Sequence, residues 1–112
     1  MKKVKAVVID PFKQSIYQKE IQQDNAYDIQ QVIGDYFEVG YRFDNGDTLF
    51  VDENGLAKDP QKRFRLKGEN TDSLLLMPLS GKALLVGHDE EGSSQDHLTE
   101  ELDLAMLIDW MP

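Results

Sequence analysis

The sequence predicts an α+β fold: a mainly antiparallel, twisted sheet of five to six strands, open or closed into a partial barrel, with two helices at about residues 25–34 and 99–109. Three observations predict it. Runs of β-branched and aromatic residues are typical of strands, turn sequences such as Asn45-Gly46 separate them, and two segments have apolar residues at helical spacing. A chain of 112 residues is the size of one domain, so residues 1–112 are expected to form one domain.

The first elements are two strands and a helix. Residues 4–10 form a β-branched run that stops at Asp10-Pro11, and residues 15–21 are a weaker strand that would complete a hairpin. Asp24 or Asn25 suits a helix N-cap, and Gly34 suits a left-handed helix end. Between them the apolar residues recur at helical spacing: Ala26, Ile29, Val32 and Ile33.

A hairpin is the clearest local signal in the chain. Residues 37–43 alternate strictly and would place four apolar side chains on one face: Phe37, Val39, Tyr41 and Phe43. Asn45-Gly46 tolerates the positive φ angles of a two-residue type I′ turn, which predicts pairing with a strand at 48–52. A second turn at 53–55 would return the chain as Leu56-Ala57.

Further strands are expected in the second half. A short strand at 64–66 lies inside a basic stretch, and residues 74–77 and 83–86 lack alternation, as central strands buried on both faces do. Pro78 removes a ladder donor, so the first of these runs ends or bulges there.

The last helix should begin near Thr99, with Glu100, Glu101 and Asp103 in its first turn, where the helix dipole favours acids. Its apolar stripe is predicted to contain Leu98, Leu102, Ala105 and Ile108, and to extend toward Trp110. Other apolar residues of this segment cannot share that stripe, so they are predicted to contact a second subunit in a homodimer: Leu104, Met106, Leu107, Trp110 and Met111. The alternative is a helix buried deep in the core.

The formal net charge of −9 is concentrated at one end. Residues 88–112 hold eight acids and no Lys or Arg, whereas residues 58–67 hold five bases and one acid. Long-range repulsion of phosphates disfavours direct nucleic-acid binding. The charge favours a basic protein partner for an acidic surface formed by Asp89, Glu90, Glu91, Glu100 and Glu101. The basic stretch is better explained as a solvated edge strand than as an anion site.

Composition also bounds location and chemistry. The chain has no cysteine, which excludes disulfides and thiolate metal sites. The apolar run at residues 6–9 is too short for a signal peptide or a membrane span, so a cytoplasmic location away from membranes is expected.

We predict no catalytic residue, no metal and no cofactor. No Walker loop, dinucleotide-binding glycine pattern, nucleophile elbow or His-Glu-x-x-His motif is present. Residues 44–53 lack the EF-hand order and are explained by turn chemistry. The main alternative is a small hydrolase or metal-assisted enzyme that uses His88 or His97 with nearby carboxylates. A small-molecule sensor with a pocket between sheet and helices is a third possibility.

Several stretches resemble a family of small uncharacterised bacterial proteins, a domain of unknown function. The resemblance covers most of residues 1–105 and leaves out residues 103–112. It implies an accessory role, because such genes are often carried on phages, plasmids or integron cassettes, and it implies no catalytic residues. The stretches that carry it are the opening strand into Asp10-Pro11, residues 29–34, residues 44–56, Pro60-Gln61, residues 81–87 and residues 89–92.

Overall fold

The computed structural model describes residues 2–54, 62–66 and 78–111. Within these residues, two helices and mostly antiparallel strands form an α+β fold without a closed barrel, which confirms the predicted class. The predicted strands at 56–57 and 74–77 and much of the basic stretch lie outside the described residues. The elements are β1 (Lys3–Asp10), β2 (Ser15–Gln22), α1 (Ala26–Ile33), β3 (Phe37–Arg42), β4 (Thr48–Asp52), β5 (Arg63–Leu66), β6 (Leu79–Ser80), β7 (Ala83–His88), β8 (Ser94–Gln95), α2 (Glu101–Leu107) and β9 (Ile108–Trp110).

The main sheet has the order β2-β1-β7-β4-β3, and β8 pairs with the end of β7. Residues 6–9 of β1 and 83–86 of β7 are all apolar and buried, because both faces of these central strands are covered. In β7, Leu84 and Val86 point to one face while Ala83 and Leu85 point to the other. The prediction of a central strand at 83–86 is confirmed.

Helix α1 covers one face of this sheet. The Asn25 side chain accepts a hydrogen bond from the Asp28 amide at 3.1 Å, and Gly34 ends the helix with a φ of 93°. Ile29 and Ile33 face inward and join a core cluster with Val4, Ala6, Val8, Ile21, Leu84 and Val86. Both predicted caps and the helical segment are confirmed.

The opposite face of the main sheet is covered by a second sheet, of order β6-β5-β9, together with α2. Phe64 and Leu66 of β5 are fully buried there, as is Leu104 of α2. They pack against residues of the main sheet that include Val7, Ile9, Leu49 and Leu85. The fold therefore has three layers, and α2 belongs to the outer layer opposite α1.

The β3–β4 hairpin forms as predicted, but its turn is not type I′. Gly46 has a φ of 98°, while Asn45 does not have the positive φ that a type I′ turn requires. The Gly46 amide donates to the Phe43 carbonyl at 3.1 Å and the Phe43 amide donates to the Asp47 carbonyl at 2.8 Å. The connection is thus a three-residue loop, residues 44–46. Asn45 uses its side chain instead, accepting from the Asp47 amide at 2.9 Å.

A β-bulge at Gly40 overturns the prediction that residues 37–43 share one face. Val39 lies opposite Phe50, but Tyr41 lies opposite Leu49, so the alternation changes face between them. A Cβ at Gly40 would lie 2.8 Å from a Val51 methyl group, which explains why glycine occupies the bulge. Phe37 therefore packs on the α1 side, whereas Tyr41 and Phe43 pack on the other.

Helix α2 is shorter than predicted, because residues 108–110 leave the helix and form β9. The backbone of this strand pairs with β5, with Ile108 opposite Leu66 and Trp110 opposite Phe64. Ile108 is β-branched and Trp110 is aromatic, and residues of these types are favoured in strands. Pairing with β5 therefore suits this segment better than a continuation of the helix.

Both helices are short, with 8 residues in α1 and 7 in α2. Crossing a bilayer as a helix takes about 20 residues. Over the part of the chain described, no helix is long and apolar enough to span a membrane.

Candidate interaction site at the second helix

Helix α2 carries apolar side chains on two opposite sides. Leu104 is 0% exposed in the core beneath the helix, and Leu107 packs against the same core. Leu102 and Met106 lie two residues to either side of Leu104, which places them about 160° around the helix from it. They are 81% and 75% exposed. We call Leu102 and Met106 the outward face of α2.

The predicted inward stripe is therefore wrong in its orientation. Of its members, Leu98 is 55% exposed and Leu102 and Ala105 are exposed as well, while Ile108 is buried as part of β9. The core instead contains Leu104, which lies four residues before Ile108. Both side chains belong to the buried cluster that includes Phe64 and Leu66 of β5.

The five predicted interface residues lie in different environments. Leu104 lies wholly in the core, so its side chain does not reach the surface. Leu107 and Trp110 are half-buried and pack against that core, Met111 is half-buried, and Met106 is exposed. Leu98 and Leu102 are exposed apolar residues that were not predicted at the interface. The sequence does contain a pattern that could have identified them, since apolar residues recur at a spacing of four at 98, 102 and 106. A second apolar row at the same spacing, 104 and 108, made the inward side ambiguous.

A groove of about 410 Å³ runs between α2 and the hairpin loop 44–46. Its floor includes the buried ring of Phe43, and Asp103 is the one charged side chain among the described residues that line it. The described residues that line it are Phe43, Asn45, Leu98, Thr99, Asp103, Met106 and Leu107.

The carboxylate of Asp47 holds this groove in shape. It is 0% exposed, and it accepts hydrogen bonds from the Leu98 amide at 3.0 Å and from the Thr99 amide at 2.7 Å. The Asn45 side chain donates to the Thr99 hydroxyl at 3.1 Å. The acidic Asp44-Asn45-Gly46-Asp47 sequence thus anchors the segment before α2 to the β3–β4 hairpin. In the described ranges no cluster of three His, Asp or Glu residues is placed to bind a metal.

The predicted acidic surface is built from two segments that flank loop 44–46. Asp89, Glu90 and Glu91 are exposed in the turn between β7 and β8, where the Asp89 carboxylate accepts from the Glu91 amide at 2.9 Å. Glu100 and Glu101 lie at the start of α2. Gly46 packs against His88, the residue before the first segment, since a Cβ there would lie 2.8 Å from the His88 carbonyl oxygen. Asn45 is hydrogen-bonded to Thr99, the residue before the second segment. One end of the molecule is therefore acidic on both sides of this loop.

The two histidines have separate roles in the structure. His97 is held at both ring nitrogens, with Nδ1 2.8 Å from the Thr99 carbonyl oxygen and Nε2 3.0 Å from the Gln18 side-chain oxygen. It ties β2 to the segment before α2. His88 lines a second cleft of about 410 Å³, and His97 is not among its lining residues. The described residues that line this cleft are Arg42, Gly46, Thr48, Phe50, His88, Asp89, Glu90 and Gly92.

Comparisons with known proteins place the chain in a family without naming an activity. A search of curated proteins finds no match, and neither does a search of solved structures. A family profile described as a domain of unknown function (DUF3846) matches residues 2–109. This confirms the resemblance to a family of unknown function seen in the sequence. Because the match spans nearly the whole chain, the protein belongs to the DUF3846 family.

Proposed function

We propose that this protein is a non-enzymatic interaction module that forms a homodimer through the outward face of α2. The observation that carries the proposal is the two-sided helix: Leu102 and Met106 stay exposed although Leu104 already anchors α2 to the core. Single exposed apolar residues are ordinary, but Met106 shares the lining of a groove with a third exposed apolar residue, Leu98. Burying an exposed Leu or Met side chain fully contributes roughly 1.5–3 kcal/mol.

A second copy suits this surface because a two-fold axis pairs a patch with itself. Leu102 and Met106 are four residues apart, so they lie on neighbouring turns and can pack against the same two residues of another copy. The acids near them, Glu100, Glu101 and Asp103, would face like charges across such a contact. The dimer should therefore tighten as salt screens that repulsion.

Sedimentation equilibrium over a range of concentrations tests the dimer. The double variant Leu102→Gln with Met106→Gln should be monomeric, and raising the salt from about 0.05 M to about 0.5 M should favour the wild-type dimer. The matched control replaces two tyrosines outside α2, Tyr27→Gln with Tyr36→Gln, which are each 65% exposed and should leave dimerisation unchanged. A wild-type protein that stays monomeric at high micromolar concentration would contradict the proposal.

The wider role belongs to the same proposal. The resemblance to bacterial proteins carried on phages, plasmids and integron cassettes supports an accessory protein that acts in the cytoplasm. The acidic end supports a basic protein as its partner, and repulsion of phosphates disfavours direct contact with nucleic acid. Co-purification from a host cell tests this proposal, and the recovered partner should be a protein with an excess of lysine and arginine over acidic residues.

The competing enzyme hypothesis has one observation in its favour, the position of His88 beside Asp89 and Glu90 in a cleft. A histidine that acts as a general base is ordinarily oriented by an acceptor at its second nitrogen. Nδ1 of His88 is buried and has no hydrogen-bond partner in the described structure. Generic ester and phosphoester substrates should accordingly be turned over no faster by the wild type than by His88→Ala. A wild-type rate that is lost in His88→Ala would support the enzyme hypothesis instead.

A further inference from the structure

We propose that the groove between α2 and loop 44–46 receives a lysine or arginine side chain from a basic protein segment. This inference rests on the proposed role as an interaction module and names the chemistry of its second partner. The groove lies to one side of the outward face of α2: Asp103 lines it and Leu102 does not. Met106 belongs to both surfaces, so dimerisation and partner binding are separated by substitutions at Leu102, which lies outside the groove, and at Asp103, which lies outside the outward face.

The lining of the groove has two chemical parts. The rings and chains of Phe43, Leu98, Met106 and Leu107 offer apolar contact. The carboxylate of Asp103 and the polar groups of Asn45 and Thr99 also line it. Lysine and arginine combine these two properties, because each has an apolar stem that packs on hydrophobic surface and a cationic head that stays near water or a carboxylate.

The sign of the surrounding charge selects a cation. Lys and Arg are absent from the described residues that line the groove, and residues 88–111 hold none at all. Glu100 and Glu101 stand at the start of the same helix, and Asp89 and Glu90 lie on the far side of loop 44–46. An acidic segment would be repelled here, and a purely apolar one would desolvate Asp103 without pairing it.

The groove is formed before any partner arrives. Asp47 fixes Leu98 and Thr99 through their backbone amides, and Asn45 bonds to the Thr99 side chain. A site whose walls are already held by buried hydrogen bonds loses less conformational freedom when a ligand binds. This favours recognition of a side chain by a rigid surface.

The probe is a short fluorescent peptide with lysines among leucines, compared with the same peptide in which glutamine replaces every lysine. Fluorescence anisotropy should show that the lysine peptide binds the full chain, that its affinity falls with added salt, and that the glutamine peptide binds at least tenfold more weakly. Asp103→Asn should weaken the lysine peptide about tenfold. In NMR spectra, the amide shifts should centre on Leu98, Thr99, Asp103 and Met106.

Two control variants make the outcome decisive. Glu38→Gln removes the same unit of charge from an exposed position on β3 and should leave the affinity within about twofold. Leu102→Gln should weaken the dimer but not peptide binding. Equal losses in Glu38→Gln and Asp103→Asn, or no binding of the lysine peptide, would overturn the groove assignment while leaving the dimer intact. A wild-type monomer that binds the peptide would instead overturn the dimer alone.

Discussion

Helices α1 and α2 differ in how each is held. Helix α1 has a side-chain cap at Asn25, a left-handed glycine end at Gly34, and one buried apolar side formed by Ile29 and Ile33. Helix α2 has no hydrogen bond from the side chain of its N-cap residue, Glu100, and it runs directly into β9. Its apolar residues occupy two opposite sides.

This difference shows where the fold is specified locally and where it is not. Signals within about ten residues define α1, whereas α2 depends on distant groups, on Asp47 at its start and on β5 beyond its end. The exposed side chains of Leu102 and Met106 bury little surface, so they add little to the stability of this short helix. Departures from local consistency of this kind are typical of functional surfaces.

The strongest test of this comparison shortens one side chain on the inward side of α2 and one on the outward face. Leu104→Ala should lower the free energy of unfolding by about 2–5 kcal/mol, because it leaves a cavity among fully buried side chains. Met106→Ala should change it by less than about 0.5 kcal/mol when urea unfolding is followed at protein concentrations that keep the chain monomeric. Comparable losses in the two variants would mean that the assignment of inward and outward sides is wrong.

Much of the fold could be predicted because its signals are local. The caps of α1, the first hairpin and the two-sided burial of β7 follow from residues adjacent in sequence. The bulge at Gly40 was not predictable from alternation, since the residues on both sides of it are equally apolar and only the pairing register with β4 reveals it. Partial barrel and open sheet were both allowed, and the cover provided by β5, β9 and α2 selects the open form.

The candidate site was predictable in its composition and not in its geometry. The sequence shows an excess of apolar residues in 98–111, but two rows compete for the core, and the choice depends on contacts with β5. The role of Asp47 was likewise hidden, because its turn chemistry explains its presence while its hydrogen-bond partners lie 51 and 52 residues away. No local pattern connects such positions.

The distant support of α2 is tested by Asp47→Ala. The substitution leaves the Leu98 and Thr99 amides without their buried acceptor, so we expect the free energy of unfolding to fall by about 2–3 kcal/mol. Asp47→Asn keeps one acceptor oxygen and should lose about half as much. Hydrogen exchange should accelerate first in residues 98–107. Uniform acceleration, with α1 loosened equally, would contradict a local anchoring role.

The smallest expected effects come from removing the side-chain cap of α1 and adding one to α2. Asn25→Ala should lower the free energy of unfolding by about 1 kcal/mol, because the Asp28 amide loses its side-chain acceptor. Glu100→Ser should raise it by about 0.5–1 kcal/mol, since the extended backbone of Glu100 already has an N-cap conformation and lacks only a side chain that accepts from the first turn. Circular dichroism during thermal unfolding measures both. If serine at position 100 brings no gain, α2 is limited by its tertiary supports and not by its missing cap, which would widen the contrast with α1.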